Sequence, residues 1–162
     1  MQNLRFTLVG LAAVIIAFTA INMSGFFEAE APPQFISPDP SDVKLVNTGQ
    51  VIYADHCAAC HGEELEGEKD WKKRRADGSL AAPPHDETGH TWHHADELLL
   101  QIISQGGQAF MPKGTSSNMP GYGEKISMRE ISAVLAFIKS RWPLEIRDRQ
   151  QMLSRQQQLQ KN

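Results

Sequence analysis

The run Cys57-Ala58-Ala59-Cys60-His61 limits what this chain can become more than any other feature. On a helix end, the two thiols share one turn and the next imidazole stands beside them. They are the only 2 cysteines of the 162-residue chain, so a framework of several disulfides is excluded and one joint use of both is favoured. A tetrahedral zinc site needs two more ligands, usually from a second Cys pair that is missing, and a thioredoxin-like dithiol needs a βαβ context that is also missing. A single structural disulfide would leave His61 and two later Met-Pro pairs without a role. The spacing fits a covalent haem-attachment site, with both thiols reaching vinyl groups of a porphyrin and the imidazole facing the iron. Composition agrees. After residue 27 the chain has few large aliphatic side chains and many Gly, Pro and His residues, so its core calls for a filler other than aliphatic side chains.

The first 27 residues form a segment of their own. Arg5 is followed by an apolar stretch from Phe6 to Ile21, extended weakly to Phe27, and Glu28 and Glu30 come after it. A basic residue before the stretch and acids after it predict an N-terminus left in the cytoplasm and a remainder moved across the membrane. Counted to Phe27, about 22 residues are long enough to span a hydrocarbon core of roughly 30 Å as a helix. Ala29-Glu30-Ala31 resembles a small-residue cleavage site. The expectation is a single-pass anchor in a bacterial cytoplasmic membrane with the haem domain in the periplasm; the alternative is a soluble periplasmic protein after signal cleavage.

Residues 28–40 contain Pro32, Pro33, Pro38 and Pro40 and read as an extended linker. A single domain is expected over residues 41–143. Ser41 or Asp42 caps a first helix that leads through Val43, Leu45, Val46, Ile52 and Tyr53 to the Cys-x-x-Cys-His run, with Gly62 as its stop. Residues 63–94 show neither helical nor alternating period and read as a long structured loop. Leu98, Leu99, Ile102 and Ile103 recur at helical spacing before Gly106-Gly107. Another loop carries Met111-Pro112 and Met119-Pro120. Ser127 and Glu130 then stand in capping-box positions ahead of the stripe Ile131, Val134, Leu135 and Ile138, which ends before Pro143. Three helices and almost no strand predict an all-α class. The Gln/Arg-rich tail, residues 144–162, is expected either as an exposed helix or as a disordered end.

In this order of elements, over about residues 43 to 142, the chain resembles a class I c-type cytochrome. The resemblance implies a small helical domain wrapped around one covalent haem c held by Cys57 and Cys60, with His61 as the proximal iron ligand. The free nitrogen of such a histidine is commonly held by a backbone carbonyl. In the family that acceptor is a proline, so Pro83 or Pro84 is implied, Pro84 being the first candidate. Met119 is the implied distal ligand, since Pro120, Gly121 and Tyr122 follow it a short loop before the last helix; Met111 is the alternative. Gly49 and Tyr53 match the family's Gly and aromatic pair where the first and last helices cross, answered by Val134 and Phe137. The stretch from Ala82 to His94 is similar to a subset of bacterial monohaem cytochromes.

Trp92 is a candidate propionate contact. His90, His93 and His94 have the donors for a second metal, but a capping role before the middle helix, with hydrogen bonds to propionates or carbonyls, is the favoured expectation. The acidic run Glu63, Glu64, Glu66, Glu68 and the basic run Lys72 to Arg75 lie close together and read chiefly as solvated faces. A net charge of −3 gives no bulk attraction for nucleic acid. Neither a phosphate-cradling glycine loop nor a recognisable Ser/His/Asp triad is visible, and no small-molecule substrate is expected. The function expected is single-electron transfer between redox partner proteins, membrane respiratory complexes among them. The alternatives are a haem enzyme or gas-binding sensor with an open sixth iron position, and a tethered cytochrome subunit of a larger respiratory complex.

Overall fold

The computed structural model describes residues 37–160, so the apolar N-terminal segment and most of the expected linker lie outside the described residues. Asp42 opens α1 (Val43–His56), its Oδ1 accepting from the Lys44 and Leu45 amides at 3.0 and 3.1 Å, which pairs donors that a helix start leaves free. The expected continuation of this helix to Gly62 is interrupted at Cys57, where φ is −119°, and a separate helical turn, Ala58–His61, carries the rest of the motif. After the long loop come α2 (Asp96–Gln105), α3 (Met128–Ser140) and α4 (Leu144–Leu159). Two-residue strands β1 (Ser79–Leu80) and β2 (Ser116–Ser117) pair in parallel and tie the loop after the motif to the loop of the Met-Pro pairs. Among the described residues the class is all-α apart from this short ladder and one isolated bridge.

The core is built along α3, in which every residue from Ile131 to Lys139 is buried. Its capping box is formed as expected: Ser127 Oγ accepts from the Glu130 amide at 3.3 Å, and Glu130 Oε2 accepts from the Ser127 amide at 2.7 Å. These bonds hold the Glu130 carboxyl below its ordinary pKa. A carboxylate lowered on folding stabilises the fold above its unfolded pKa, and that contribution is lost as the pH falls through the folded value. Thermal melts between pH 7 and 3 are therefore expected to show a shallower acid limb in Glu130→Gln than in the parent, because glutamine keeps the box geometry but cannot titrate.

Instead of one continuous cluster, α3 serves three. Tyr53, Leu65, Val134, Phe137, Ile138 and Trp142 form one, Leu99, Leu100, Ile131 and Leu135 a second, and Leu45, Ala133 and Ala136 a third. The closest approach lies where α1 crosses α3. A Cβ on Gly49 would stand 1.9 Å from the Ala133 carbonyl oxygen and 3.0 Å from Phe137 Cβ. Gly49 therefore meets Phe137 and the Ala133 backbone, while Val134 and Phe137 pack with Tyr53, so both members of the expected answering pair lie at the crossing and Ala133 joins them. The Tyr53 and Phe137 rings sit 5.3 Å apart. Because the obstacle is backbone, Gly49→Ala is expected to push the helices apart and cost about 3 kcal/mol, the upper end for overpacking. Urea unfolding of the holoprotein measures it.

The tail differs most from expectation. Residues 144–159 form a docked helix whose inner face carries polar groups. Lys139 Nζ bonds both oxygens of Asp96 at 2.8 and 3.0 Å with both residues buried. Gln150 Nε2 lies 2.7 Å from Asp96 Oδ1 and 3.1 Å from the His94 carbonyl, and Ser154 Oγ accepts from the Asp96 amide at 3.0 Å. One network thus joins the start of α2, the end of α3 and α4.

Candidate haem site

The motif sits where α1 ends against the long loop. Cys60 and His61 amides both donate to the Cys57 carbonyl, at 3.1 and 2.9 Å, so the two sulfurs and the imidazole share one helical turn. Both cysteines are free thiols, Cys57 half-buried and Cys60 exposed. Burial, with Cys60 adding to it, pushes the Cys57 thiol up to about 11. A nucleophilic Cys-x-x-Cys dithiol needs the opposite shift, so the site does not have the electrostatics of a disulfide oxidoreductase.

His61 is buried, and its Nδ1 donates to the Pro83 carbonyl at 2.9 Å. That bond places the ring proton on Nδ1 and leaves the Nε2 lone pair for a metal. Burial lowers the His61 pKa, partly offset by the Pro83 bond, which favours the neutral imidazole. The acceptor is thus Pro83 and not Pro84. The backbone explains the one-residue difference: the Gly67 amide donates to the His61 carbonyl at 2.7 Å and the Glu68 amide to the Ala82 carbonyl at 2.9 Å, which draws the chain before Pro84 alongside the motif. Gly67 permits this approach. Its φ is +70°, and a Cβ there would lie 2.4 Å from Pro84 N. Leu65, also at positive φ (70°), is buried and accepts from the His85 amide at 2.8 Å.

His85 lies outside the expected site residues, yet its ring stacks on His61 with centroids 4.0 Å apart. Its Nδ1 lies 2.8 Å from Thr91 Oγ1, and its carbonyl accepts from Trp142 Nε1 at 2.7 Å. Tyr53 Oη donates to the Gly62 carbonyl at 2.9 Å, anchoring the turn from the core side. Tyr53 reaches the turn from α1, whereas His85 is brought to His61 by the fold of the long loop.

Met119 is half-buried. Its carbonyl accepts from the Gly107 amide at 3.1 Å and its amide donates to Ser117 Oγ at 3.3 Å, so the loop is seated on the end of α2. Three positions on, Tyr122 Oη donates to the His56 carbonyl at 2.6 Å, which connects the same loop to the residue before Cys57. Met111 instead ends the 3₁₀ turn Gly107–Phe110, its amide donating to the Gln108 carbonyl at 3.3 Å. Trp92 lies on the 3₁₀ turn Thr91–His93, its Nε1 3.4 Å from the Glu87 carbonyl and its face beneath Arg149 at 5.8 Å. The three histidines stay near one another, the His90 and His94 rings meeting edge-on with centroids 5.8 Å apart, but each has its own partner. His90 stacks on Trp71 at 5.4 Å, His93 contacts Trp92 at 3.8 Å, and the His94 carbonyl serves Gln150. Among the described residues no group of three or more His, Cys, Asp or Glu side chains is placed to hold a metal ion. Members of the charged runs form ion pairs: Arg75 with Glu68 and Lys73 with Asp70 nearby in sequence, and Glu64 with Arg141 across 77 positions.

Two thiols and a buried, tautomer-fixed imidazole on one turn, in a small helical domain with a divided core, fit a covalently bound haem and define a monohaem haem-c protein. The chain belongs to the cytochrome c family, whose model matches residues 46–142, and it is an electron carrier. It is 27% identical over 113 residues to the Cbb3-type cytochrome c oxidase subunit FixP of Azorhizobium caulinodans, covering 69% of this chain and 35% of that protein. The chain therefore spans about a third of that relative's length. Among solved structures it is similar to cytochrome cL of the marine methylotroph Methylophaga aminisulfidivorans, at 16% identity and a TM-score of 0.45, over 76% of this chain and 77% of the other.

Proposed function

We propose that this cytochrome passes single electrons between redox proteins at the outer face of a bacterial cytoplasmic membrane, with His61 and Met119 as its axial ligands. The observation that carries the proposal is the Pro83 carbonyl on His61 Nδ1, which presents Nε2 as a fixed, neutral donor beside both cysteines. The bound haem supplies a one-electron iron couple, whose potential a thioether ligand raises by favouring the ferrous state. The protein's part is to hold that centre still. Cys57 and Cys60 tether it, Pro83 orients His61, and the loop seated on Gly107 carries Met119. Trp92 is the proposed propionate donor. Residues 41–143 are the proposed haem domain, with residues 28–40 as its linker and the apolar segment through Phe27 as its anchor. Among the described residues no helix is long and apolar enough to cross a membrane, and the apolar segment lies outside them.

A second reading makes the chain a tethered subunit of a larger respiratory complex. The likeness to an oxidase subunit favours it. Native gels of membranes solubilised in mild detergent, stained for haem, distinguish the two. Migration at the size of the chain alone supports a mobile carrier, and co-migration with a terminal oxidase supports the subunit. Protease added to intact spheroplasts should remove the haem-stained domain in either case; full protection contradicts the outer-face assignment.

A further inference from the structure

We propose that Tyr122 is a positioning residue that latches the Met119 loop to the haem-motif helix and so sets how often the sixth iron position opens. The proposal rests on Met119 as the distal ligand. The Met119 loop is held at two ends by different kinds of contact. Toward α2 it is held chiefly through backbone: Gly107 N donates to Met119 O at 3.1 Å, Tyr122 N to Ile103 O at 2.9 Å and Gly123 N to Ser104 O at 3.0 Å, with Ser117 N on Gln108 Oε1 at 2.9 Å and Asn118 Nδ2 on Ser79 Oγ at 3.2 Å ahead of Met119. Toward the haem motif it is held by a side chain, the Tyr122 hydroxyl donating to the His56 carbonyl at 2.6 Å across 66 positions of sequence.

That carbonyl sits at the end of α1, where the last carbonyls lack intrahelical partners, so the hydroxyl fills a vacancy that any helix end presents. The Tyr122 ring also leans on the His56 ring, with centroids 5.7 Å apart, and Lys125 Nζ lies 5.3 Å from the Tyr122 ring centroid. The ring and the hydroxyl thus act on the same neighbour. His56 immediately precedes Cys57, so the latch ties the loop to the tethered end of the haem, where relative movement of loop and motif is felt most directly.

Opening of the sixth position requires the Met119 loop to move away from the motif, and this movement breaks the Tyr122 bond. Removing one such bond shifts a local opening equilibrium by about 2- to 10-fold. Tyr122→Phe removes the hydroxyl and keeps the ring; Tyr122→Leu removes both. In the ferrous holoprotein, carbon monoxide association that waits on loop opening is expected to run about 2- to 10-fold faster in Tyr122→Phe, and faster again in Tyr122→Leu. Hydrogen exchange of the Tyr122 and Gly123 amides, bonded to the Ile103 and Ser104 carbonyls, should accelerate by the same factor, while exchange in α3 stays unchanged. That second readout does not depend on ligation. Unchanged rates of both kinds in Tyr122→Phe overturn the latch, as does acceleration in α3 as large as that in the loop, which marks a purely structural loss. If Met119→Ala leaves carbon monoxide binding as in the parent, the ligand assignment fails, and amide exchange alone then reports whether the loop is latched.

Discussion

Met119→Ala is expected to lower the midpoint potential by on the order of 100 mV, within the roughly 0.8 V that axial ligation spans. It should also abolish the far-red Met-iron band and open the ferrous protein to carbon monoxide, while the haem stays covalently attached. The attachment survives because Cys57 and Cys60 lie on a turn held by its own backbone and by Pro83 on His61, none of which involves Met119. The fold should survive as well, since the loop is seated on α2 through main-chain bonds that alanine retains. Met111→Ala should change none of the redox properties. Its half-buried side chain stands at the end of a 3₁₀ turn, and truncation is expected to cost about 2 kcal/mol or less of stability. Potentiometry and carbon monoxide titration of the two variants check the assignment. Loss of the band in Met111→Ala with its retention in Met119→Ala reverses it.

The largest stability effect is expected away from the haem site. Lys139 and Asp96 are 4% and 7% exposed, and their ion pair is closed by Gln150. Lys139→Met leaves the Asp96 carboxylate buried without its counter-charge, and breaking a buried pair in this way costs about 3–5 kcal/mol. For a domain of this size that corresponds to a fall in Tm of roughly 10–20 °C. Asp96→Asn combined with Lys139→Met should recover much of the loss, because no isolated charge remains. Limited proteolysis should cut within α4 far sooner in Lys139→Met than in the parent, since Asp96 is also the partner that holds Gln150 and, through its amide, Ser154. Equal melting temperatures and equal proteolysis rates in parent and variant contradict the account of the network.

The legible parts of this molecule were those written locally. The attachment motif occupies five consecutive residues, the α3 cap lies within four, and the glycine at the helix crossing is recognisable because no side chain fits where two backbones nearly touch. What escaped the sequence depends on distant partners or on one-residue registers. Pro83 and Pro84 are equivalent by residue type, and only the ladder between Gly67, Glu68 and their acceptors decides which carbonyl reaches His61. Likewise a helical stripe names Val134 and Phe137 at the crossing but not the Ala133 carbonyl that Gly49 approaches. The docked tail was hidden for a different reason. α4 buries Gln150 and Ser154 instead of an apolar stripe, so hydrophobic periodicity carries no signal there, and its partner Asp96 lies 54 positions from Gln150. Tyr122 was visible as an aromatic after Met119, but its bond to His56 was not.

An anaerobic potentiometric titration of the purified holoprotein, followed by absorption with and without carbon monoxide, shows whether this chain moves electrons through a haem with both axial positions filled. The expected result is one reversible single-electron step with a far-red Met-iron band in the oxidised form and a reduced spectrum that carbon monoxide does not alter within minutes. Prompt stoichiometric binding of carbon monoxide by the reduced protein, with no Met-iron band in the oxidised one, would contradict it and reveal an open iron site.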